Sequence, residues 1–307
     1  MDLKKISFFI FFIFFYFNAY SLENKILIKV DNEIITSADI FNETQYLIAI
    51  NKDIGKLSKN KIFEIAKNSL IRQKIKQNEI SKYINNLILD DKYTEKVIEA
   101  NSLKLGFKSV DDFQNHLLNF NIEIKTVKER LSTELLWNDL IVKKYSNKIR
   151  INEEKIKKQI SLNGKKIKSY KLSEIVFNLP VGIKIEQRFE IIKDEILRTG
   201  FDNTALIYSI SDTSSSGGKL GWVKETSFNK LIKEKILNLK IGKHTEPIRI
   251  SGGFLILKVE NIKETNVKLD IKNELEKRIL NKKNQQLNQF SLMYYNKIKK
   301  NVKIDEL

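Results

Sequence analysis

Cysteine is absent from the 307 residues, and histidine and proline occur only twice each. The absence of cysteine excludes disulfides, thiolate metal sites and a cysteine nucleophile. The two histidines, His116 and His244, are too few for a histidine-rich metal site. No phosphate-binding loop of the form G-x-x-x-x-G-K-[ST] and no G-x-S-x-G turn occurs in the sequence. We therefore expect no metal, no cofactor, no ATP-driven step and no serine hydrolase chemistry.

What the sequence has in excess is positive charge. Lysine and arginine total 55 against 38 acidic residues, which gives a formal net charge of +17. Arginine accounts for only 7 of the basic residues, whereas arginine usually dominates where base edges or phosphates are bound in a bidentate manner. Charge scattered along a chain produces no focused field. We expect the lysines to cover solvated surfaces, with no nucleic acid partner; a basic module for nucleic acid or anionic membrane is the less favoured alternative.

The N-terminus has the three parts of a secretory signal peptide. A basic start contains Lys4 and Lys5, an apolar stretch covers residues 6–17, and the segment ends in Ala19-Tyr20-Ser21. Twelve apolar residues are few for a membrane span, which needs about 20. We expect residues 1–21 to be removed, which takes away two lysines and one aspartate and leaves +16. The predicted location is the periplasm without stable membrane insertion; an uncleaved anchor is the alternative.

Residues 22–165 are predicted to form a mainly helical domain after an opening hairpin. Alternating apolar residues from Ile26 to Val30, a polar turn and a second short apolar stretch indicate two strands. Thr36 and Asp39 have the spacing of a capping box, which predicts a helix starting there. Apolar residues at helical spacing predict further helices, among them one over residues 124–145 with its apolar residues on one face.

The pattern changes after a short basic linker at residues 164–168. Residues 168–263 are predicted to form a compact α+β domain, whose elements we expect in the order strand, two helices, a glycine-rich loop, a helix and a hairpin. Residues 264–307 are then predicted to form a long helix and a short strand. Because this last segment has no core of its own, we expect it to pack on the N-terminal helices. The predicted elements of the second half are a strand at 170–177, helices at 185–197 and 201–209, a loop at 211–222, a helix at 228–239, a hairpin at 247–259, a helix at 267–298 and a strand at 302–304.

The α+β segment resembles the parvulin-type (PpiC) peptidyl-prolyl cis-trans isomerase domain over about 90 residues. The resemblance rests on a combination of short motifs: LSEIVF at 172–177, GFD at 200–202, GGKLGW at 217–222, LKIG at 239–242, PI at 247–248 and GFLILKV at 253–259.

The flanking segments resemble the family of SurA periplasmic chaperones. Residues 25–39 are similar to its opening hairpin, residues 103–145 to its helical region, and the terminal helix to the segment that packs back on the N-terminal domain. The resemblance implies an α+β fold. In it, a helical chaperone module, made of the opening hairpin and helices and completed by the C-terminal helix, carries one inserted parvulin-like domain. SurA typically has two such domains, which implies a shortened relative.

The site positions depart from the parvulin pattern. The family has one histidine on the first strand and one on the last hairpin, and the matching residues here are Glu174 and Leu255. A further acidic or cysteine position of the family falls at Asp212. The apolar proline pocket falls on three residues, which either bind peptide or belong to the ordinary core: Leu220, Phe228 and Ile232.

Isomerisation requires rotation about an amide bond with a barrier of about 18–20 kcal/mol. Glu174 and Leu255 remove two polar ring partners, so we expect weak or absent isomerase activity. The resemblance implies an ATP-independent periplasmic chaperone for unfolded outer-membrane proteins. An active exported prolyl isomerase is the alternative function.

Overall fold

The computed structural model describes residues 24–84, 89, 91–162, 166–180, 182–266 and 271–307. The expected signal peptide, residues 1–21, lies outside these residues. The helices described are α1 (Ser37–Ile50), α2 (Lys59–Ser81), α3 (Asp91–Leu105), α4 (Val110–Leu118), α5 (Ile124–Tyr145), α6 (Glu153–Leu162), α7 (Ile185–Thr199), α8 (Phe201–Tyr208), α9 (Lys230–Ile236) and α10 (Ile271–Lys299). The strands described are β1 (Ile26–Val30), β2 (Glu33–Thr36), β3 (Lys166–Phe177), β4 (Lys219–Lys224), β5 (Ile248–Ile250), β6 (Gly253–Asn266) and β7 (Ile304–Glu306).

The two ends of the described chain meet in one small sheet. Its strand order is β2-β1-β7, with both pairings antiparallel. Val30 pairs with Ile304, and the backbone N–H of Asp31 donates to the carbonyl of Lys303 at 2.9 Å. Since β7 follows directly after α10, this pairing fixes the C-terminal segment to the opening hairpin.

A helical domain is built on this sheet. Its first helix starts as the sequence predicts: the Oγ1 of Thr36 accepts from the Asp39 N–H at 3.2 Å, and the Thr36 N–H donates to the Asp39 carboxylate at 2.8 Å. The core contains apolar side chains from β1, β2, α1, α2, α5 and α10. Within it the Nε1–H of Trp137 donates to Ser291 Oγ at 2.8 Å, and the ring of Trp137 stacks on Tyr294. The C-terminal helix therefore buries its apolar side in the N-terminal domain, as the fold prediction states.

The second domain contains a four-stranded antiparallel sheet in the order β4-β3-β6-β5. Strands β3 and β6 pair along their whole length, from Lys166 opposite Asn266 to Phe177 opposite Phe254. One face packs on α9 through a cluster that includes Ile232 and Ile236, and the other packs on α7 and α8 through a cluster that includes Ile192. The helices on both faces confirm the predicted α+β class.

The structure corrects two predictions near this sheet. The prediction of a loop over 211–222 is wrong at its C-terminal end. Residues 219–222 belong to β4, in which Trp222 pairs with Lys171. Its glycines suggested a loop, yet Gly221 takes a φ of 76° inside the strand, beside a register shift. The basic linker at 164–168 is also shorter than expected, since β3 already begins at Lys166 and lengthens the pairing with β6.

The remaining differences concern element ends. Helix α9 is shorter than the predicted 228–239, because the Oδ1 of Asn229 caps it by accepting from the Ile232 N–H. The predicted start of the last helix at 267 lies outside the described residues, and the last strand lies two residues later than predicted. In the part of the chain that the structure describes, no helix is both long and apolar enough to cross a membrane.

Candidate functional site

Glu174 lies in the middle of β3, where the parvulin resemblance places a histidine. Strand alternation puts it on the same sheet face as Leu172 and Val176, which belong to the cluster under α9. The Thr213 hydroxyl donates to Glu174 Oε1 at 2.9 Å. Burial raises the pKa of the Glu174 carboxyl above its ordinary value, and the nearby Asp212 charge acts in the same direction, while hydroxyl donors oppose it. The position therefore makes ionisation of Glu174 less favourable than in water, within a network of hydroxyls.

That network runs through the loop between α8 and β4. The hydroxyls of Ser209 and Ser211 lie 3.0 Å apart, and those of Ser211 and Thr213 lie 2.8 Å apart. Ser209 Oγ also accepts from the backbone N–H of Val176 at 3.0 Å. A continuous chain of hydroxyls thus joins Glu174 to the end of α8 and to β3.

Gly218 lets the loop approach β3 closely. Its φ is 75°, and a Cβ at this position would lie 2.1 Å from the Glu174 carbonyl oxygen. The Glu174 N–H donates to the Gly218 carbonyl at 2.8 Å, and the Gly218 N–H donates to the Thr213 carbonyl at 2.9 Å. The glycine pair of the GGKLGW motif is therefore explained by backbone geometry.

Leu255 lies on β6, opposite Val176, with its side chain buried. It shares a cluster with Ile232 of α9 and with the partly buried Phe228. The structure therefore brings together three of the four apolar residues that the resemblance places at the site. Leu220 is not among them, because it lies on the edge strand β4 with 39% of its surface exposed.

The C-terminal helix covers this apolar cluster from outside. Leu292 of α10 packs against it, and a Cβ at Gly252 would lie 3.2 Å from the Leu292 Cβ. Asn296 Nδ2 donates to the Gly252 carbonyl at 2.9 Å. The hairpin turn between β5 and β6 is thus fastened to α10 beside the cluster that holds Leu255.

Asp212 faces a lysine from the helical domain. The Lys76 ammonium donates to Asp212 Oδ1 at 2.8 Å and to Glu134 Oε2 at 2.6 Å, and its side chain is only 2% exposed. Burial opposes the charge of Lys76, but the two carboxylates outweigh it and raise the pKa of the ammonium. Burial also opposes ionisation of Asp212, yet the charge and hydrogen bond of Lys76 lower the pKa of its carboxyl. Both groups are therefore held in their charged forms.

Arg72, one turn before Lys76, holds the backbone of the same loop. Its Nη2 donates to the Ser209 carbonyl at 2.9 Å, and its Nη1 donates to the Ser211 carbonyl at 3.0 Å and to Ser214 Oγ at 2.7 Å. No motif of the sequence distinguishes Arg72 or Lys76 from the other basic residues. The only available signal was the spacing of two cations on one helical face, which is common in a chain with 55 basic residues.

Neither histidine takes part in this network. The Nε2–H of His116 donates to the Ala49 carbonyl at 2.8 Å, and the ring lies between Phe107 and Phe120. The Nδ1–H of His244 donates to the carbonyl of its neighbour Thr245 at 3.0 Å. Over the described ranges, no group of three or more histidine, aspartate or glutamate residues is arranged to hold a metal ion.

The helical domain has a groove of its own, of about 430 Å³, between α3, α4 and α5. Its apolar lining comes from Ile98, Val110 and Ile124, and its rim carries charged and polar side chains. The exposed Leu103 and Leu118 lie one helical turn beyond the lining residues Glu99 and Gln114, on the same faces of α3 and α4. The groove and these two leucines form a surface that can accept apolar side chains of a partner.

Comparison with known proteins identifies the second domain. Residues 183–261 match the family model described as Rotamase, PPIC-type PPIASE domain. The chain therefore contains a PpiC-type (parvulin) domain, and the match covers only this part of it.

The similarity to curated proteins extends beyond that domain. Chaperone SurA of Pectobacterium atrosepticum is 22% identical over 275 residues, which cover 83% of this chain and 61% of the relative. Chaperone SurA of Pseudomonas aeruginosa is 25% identical over 162 residues, which cover 50% of this chain and 39% of the relative. The chain thus spans between 39% and 61% of the length of these two relatives. A solved structure from the work on PEB4 and Cj1289, SurA-like chaperones of Campylobacter jejuni, is 16% identical, with coverage of 92% of this chain and 99% of that one and a TM-score of 0.39.

Proposed function

We propose that the chain is an ATP-independent periplasmic chaperone that holds unfolded outer-membrane proteins, with a PpiC-type domain of weak or lost isomerase activity. The observation that carries the proposal is the groove of mixed lining between α3, α4 and α5, extended by the exposed apolar side chains of Leu103 and Leu118. Exposed apolar surface of this kind marks a site for a protein partner. The similarity to SurA chaperones outside the PpiC-type domain supports the same assignment.

Outer-membrane barrel strands fit such a surface. Their residues alternate between apolar and polar, and unpaired strands aggregate in water. A groove of mixed lining binds the apolar residues of an extended segment one at a time, without demanding a fixed sequence. The charged rim, which includes Glu95 and Lys96, keeps the empty groove soluble.

The test measures aggregation of an unfolded outer-membrane protein by light scattering. We expect the chain to suppress scattering at about equimolar amounts, since a holdase without ATP acts by occupancy alone. The double variant Leu103→Ser, Leu118→Ser is expected to lose most of this effect. The matched control is Leu197→Ser, Leu237→Ser, which removes two exposed leucines from the other domain.

Two results would count against the proposal. One is a wild-type chain that leaves aggregation unchanged at equimolar concentration. The other is equal loss of suppression in the two double variants, because the groove would then have no special part in binding.

An exported prolyl isomerase is the second candidate, favoured by the PpiC-type family match. The positions of Glu174 and Leu255 oppose it, because a carboxyl group in a hydroxyl network and a buried alkyl chain replace two ring partners. A proline-peptide isomerisation assay decides between the two. Turnover similar to that of an active parvulin would favour the second candidate.

The proposed periplasmic location depends on the N-terminal segment, and a separate experiment tests it. Mass spectrometry of the exported chain is expected to show Leu22 as the first residue. A chain that keeps residues 1–21 would instead indicate an anchored form.

A further inference from the structure

The contact between the two domains uses a loop of the predicted isomerase site. The loop that joins α8 to β4 contains Asp212, and its residues 209–214 touch α2 of the helical domain. A loop expected to border a substrate cleft lies here against another part of the same chain.

The α2 side of this contact is a row of cations on one helical face. Lys61, Arg72 and Lys76 are separated by 11 and 4 residues, which places them in line along the helix. Each of them meets the PpiC-type domain: Lys61 pairs with Glu195 of α7, Arg72 binds the loop backbone and Lys76 binds Asp212. The contacts of these three cations with the PpiC-type domain therefore extend over at least three turns of α2.

The loop side offers acceptors that match these cations. The carbonyls of Ser209 and Ser211 point to one guanidinium, and the Ser214 hydroxyl completes its set of acceptors. Ser209, Ser211 and Ser214 are all buried. A guanidinium that binds three acceptors in a buried setting fixes the loop more firmly than a surface ion pair does.

Apolar packing supports the same closed arrangement from two sides. Leu206 of α8 is buried in the core of the helical domain, and Leu292 of α10 packs on the cluster that contains Leu255 and Ile232. Helices of the other domain therefore contact both the apolar cluster and the loop carrying Asp212, whose side chain keeps 45% exposure.

We propose that loop 209–214 is a docking socket for α2, and that Arg72 and Lys76 latch the PpiC-type domain to the helical domain, so that the chain itself occupies one edge of the predicted isomerase face. This inference goes beyond the loss of the family histidines, because it names a second obstacle to a peptide substrate. It is independent of chaperone activity.

The absence of cysteine provides a direct test in the full chain. Ser211→Cys introduces a single buried thiol in the socket, and the rate of its reaction with a maleimide reports how often the face opens. We expect labelling of this variant to become about tenfold faster when Arg72→Ala and Lys76→Met are added, because local opening limits the reaction. The matched control adds Lys74→Ala and Lys82→Met, which remove one cation of α2 and one directly after its last residue; these pair with Glu33 and Glu79 instead. This control is expected to leave the rate unchanged.

An unchanged labelling rate in the Arg72→Ala, Lys76→Met chain, with circular dichroism showing a folded protein, would overturn the latch. Fast labelling of Ser211→Cys alone, at the rate of the urea-unfolded chain, would also overturn it, because the socket would then already be open.

A milder variant covers the case in which the double substitution unfolds the chain. Arg72→Lys keeps the charge but cannot reach two carbonyls and a hydroxyl together. We expect amide hydrogen exchange in residues 206–218 to become about threefold faster in this variant, with residues 254–259 of the sheet unaffected. The proposal would be contradicted if both segments exchanged at the same rates as in the unsubstituted chain.

Discussion

Truncation of Leu206 tests whether the two domains share one core. Leu206 belongs to α8 of the PpiC-type domain, yet its side chain is 6% exposed and lies in the hydrophobic cluster of the helical domain. Leu206→Ala removes buried methyl groups and leaves a cavity. Buried leucine truncations cost about 2–5 kcal/mol, and for a chain of this size each kcal/mol lowers the melting temperature by roughly 2–4 °C. We therefore expect a loss of several degrees and, because docking is weakened, two separate transitions in urea instead of one.

The control for this measurement is Leu197→Ala on α7 of the same domain. Leu197 is 78% exposed, so its truncation is expected to change the free energy of unfolding by less than about 0.5 kcal/mol. Urea unfolding followed by fluorescence and by circular dichroism gives both the free energy and the number of transitions. If Leu206→Ala matched the control within error, the packing of α8 on the helical core would carry no stability, and the argument for a shared core would fail.

Three further predictions concern single groups. Glu43→Ala leaves the largely buried Arg130, whose side chain is 17% exposed, without the carboxylate that its two Nη atoms bind, and should cost about 3 kcal/mol in urea unfolding; a cost below about 1 kcal/mol would contradict this. Because burial raises the pKa of Glu174, its contribution to stability is full at pH values below the unfolded pKa and is lost as the pH rises through the folded pKa. Glu174→Gln should therefore lose less stability than the wild type on going from acid to neutral pH; parallel pH profiles would refute this. Thr36→Ala removes a cap whose Oγ1 accepts from the Asp39 N–H, and should cost about 1 kcal/mol by thermal unfolding; no change would show that the cap is dispensable.

Elements with strong local signals were predictable from the sequence. The capping box at Thr36 and Asp39 placed the start of α1, and the apolar spacing of residues 124–145 gave both ends of α5. These signals depend on residues within a few positions of each other, so tertiary structure has little opportunity to override them.

Strand β4 was missed because its local signal points the other way. Gly217, Gly218 and Gly221 suggest a loop, and what makes Lys219–Lys224 a strand is pairing with β3, about 50 residues earlier. Glycine at positive φ also serves a strand that bends near a register shift. Local composition therefore could not separate the two cases.

The candidate site was predictable only in part, because sequence motifs identify residues but do not show which of them meet in the fold. Glu174, Phe228, Ile232 and Leu255 were identified by motif position, and the structure places them at one sheet face. Leu220 lies apart because it sits at the register shift of the edge strand β4, between the paired residues Lys219 and Gly221, with 39% of its surface exposed. Their role in peptide binding stays a prediction.

The contacts of Arg72 and Lys76 had no sequence signal that could be distinguished from background. Arg72 and Ser211 are 139 residues apart, and Lys76 and Asp212 are 136 residues apart. In a lysine-rich chain, two cations on a helical face are most simply read as solvated. Only the packing of α8 on the helical core brings the loop close enough to reveal their partners.

Glu174 and the proposed latch belong to one hydrogen-bonded network. A substitution at one of them is therefore expected to affect the other. Glu174 accepts from Thr213, whose hydroxyl meets Ser211, and the Ser211 carbonyl accepts from Arg72. A residue at 174 that served a peptide substrate would have to keep this chain of contacts or release the loop from α2. If the proposed latch is correct, a prolyl peptide bound at this loop would compete with α2, which has the advantage of belonging to the same chain. The core clusters of this domain and its contacts with α2 and α10 are made without histidines at 174 and 255, the positions where the parvulin resemblance places them.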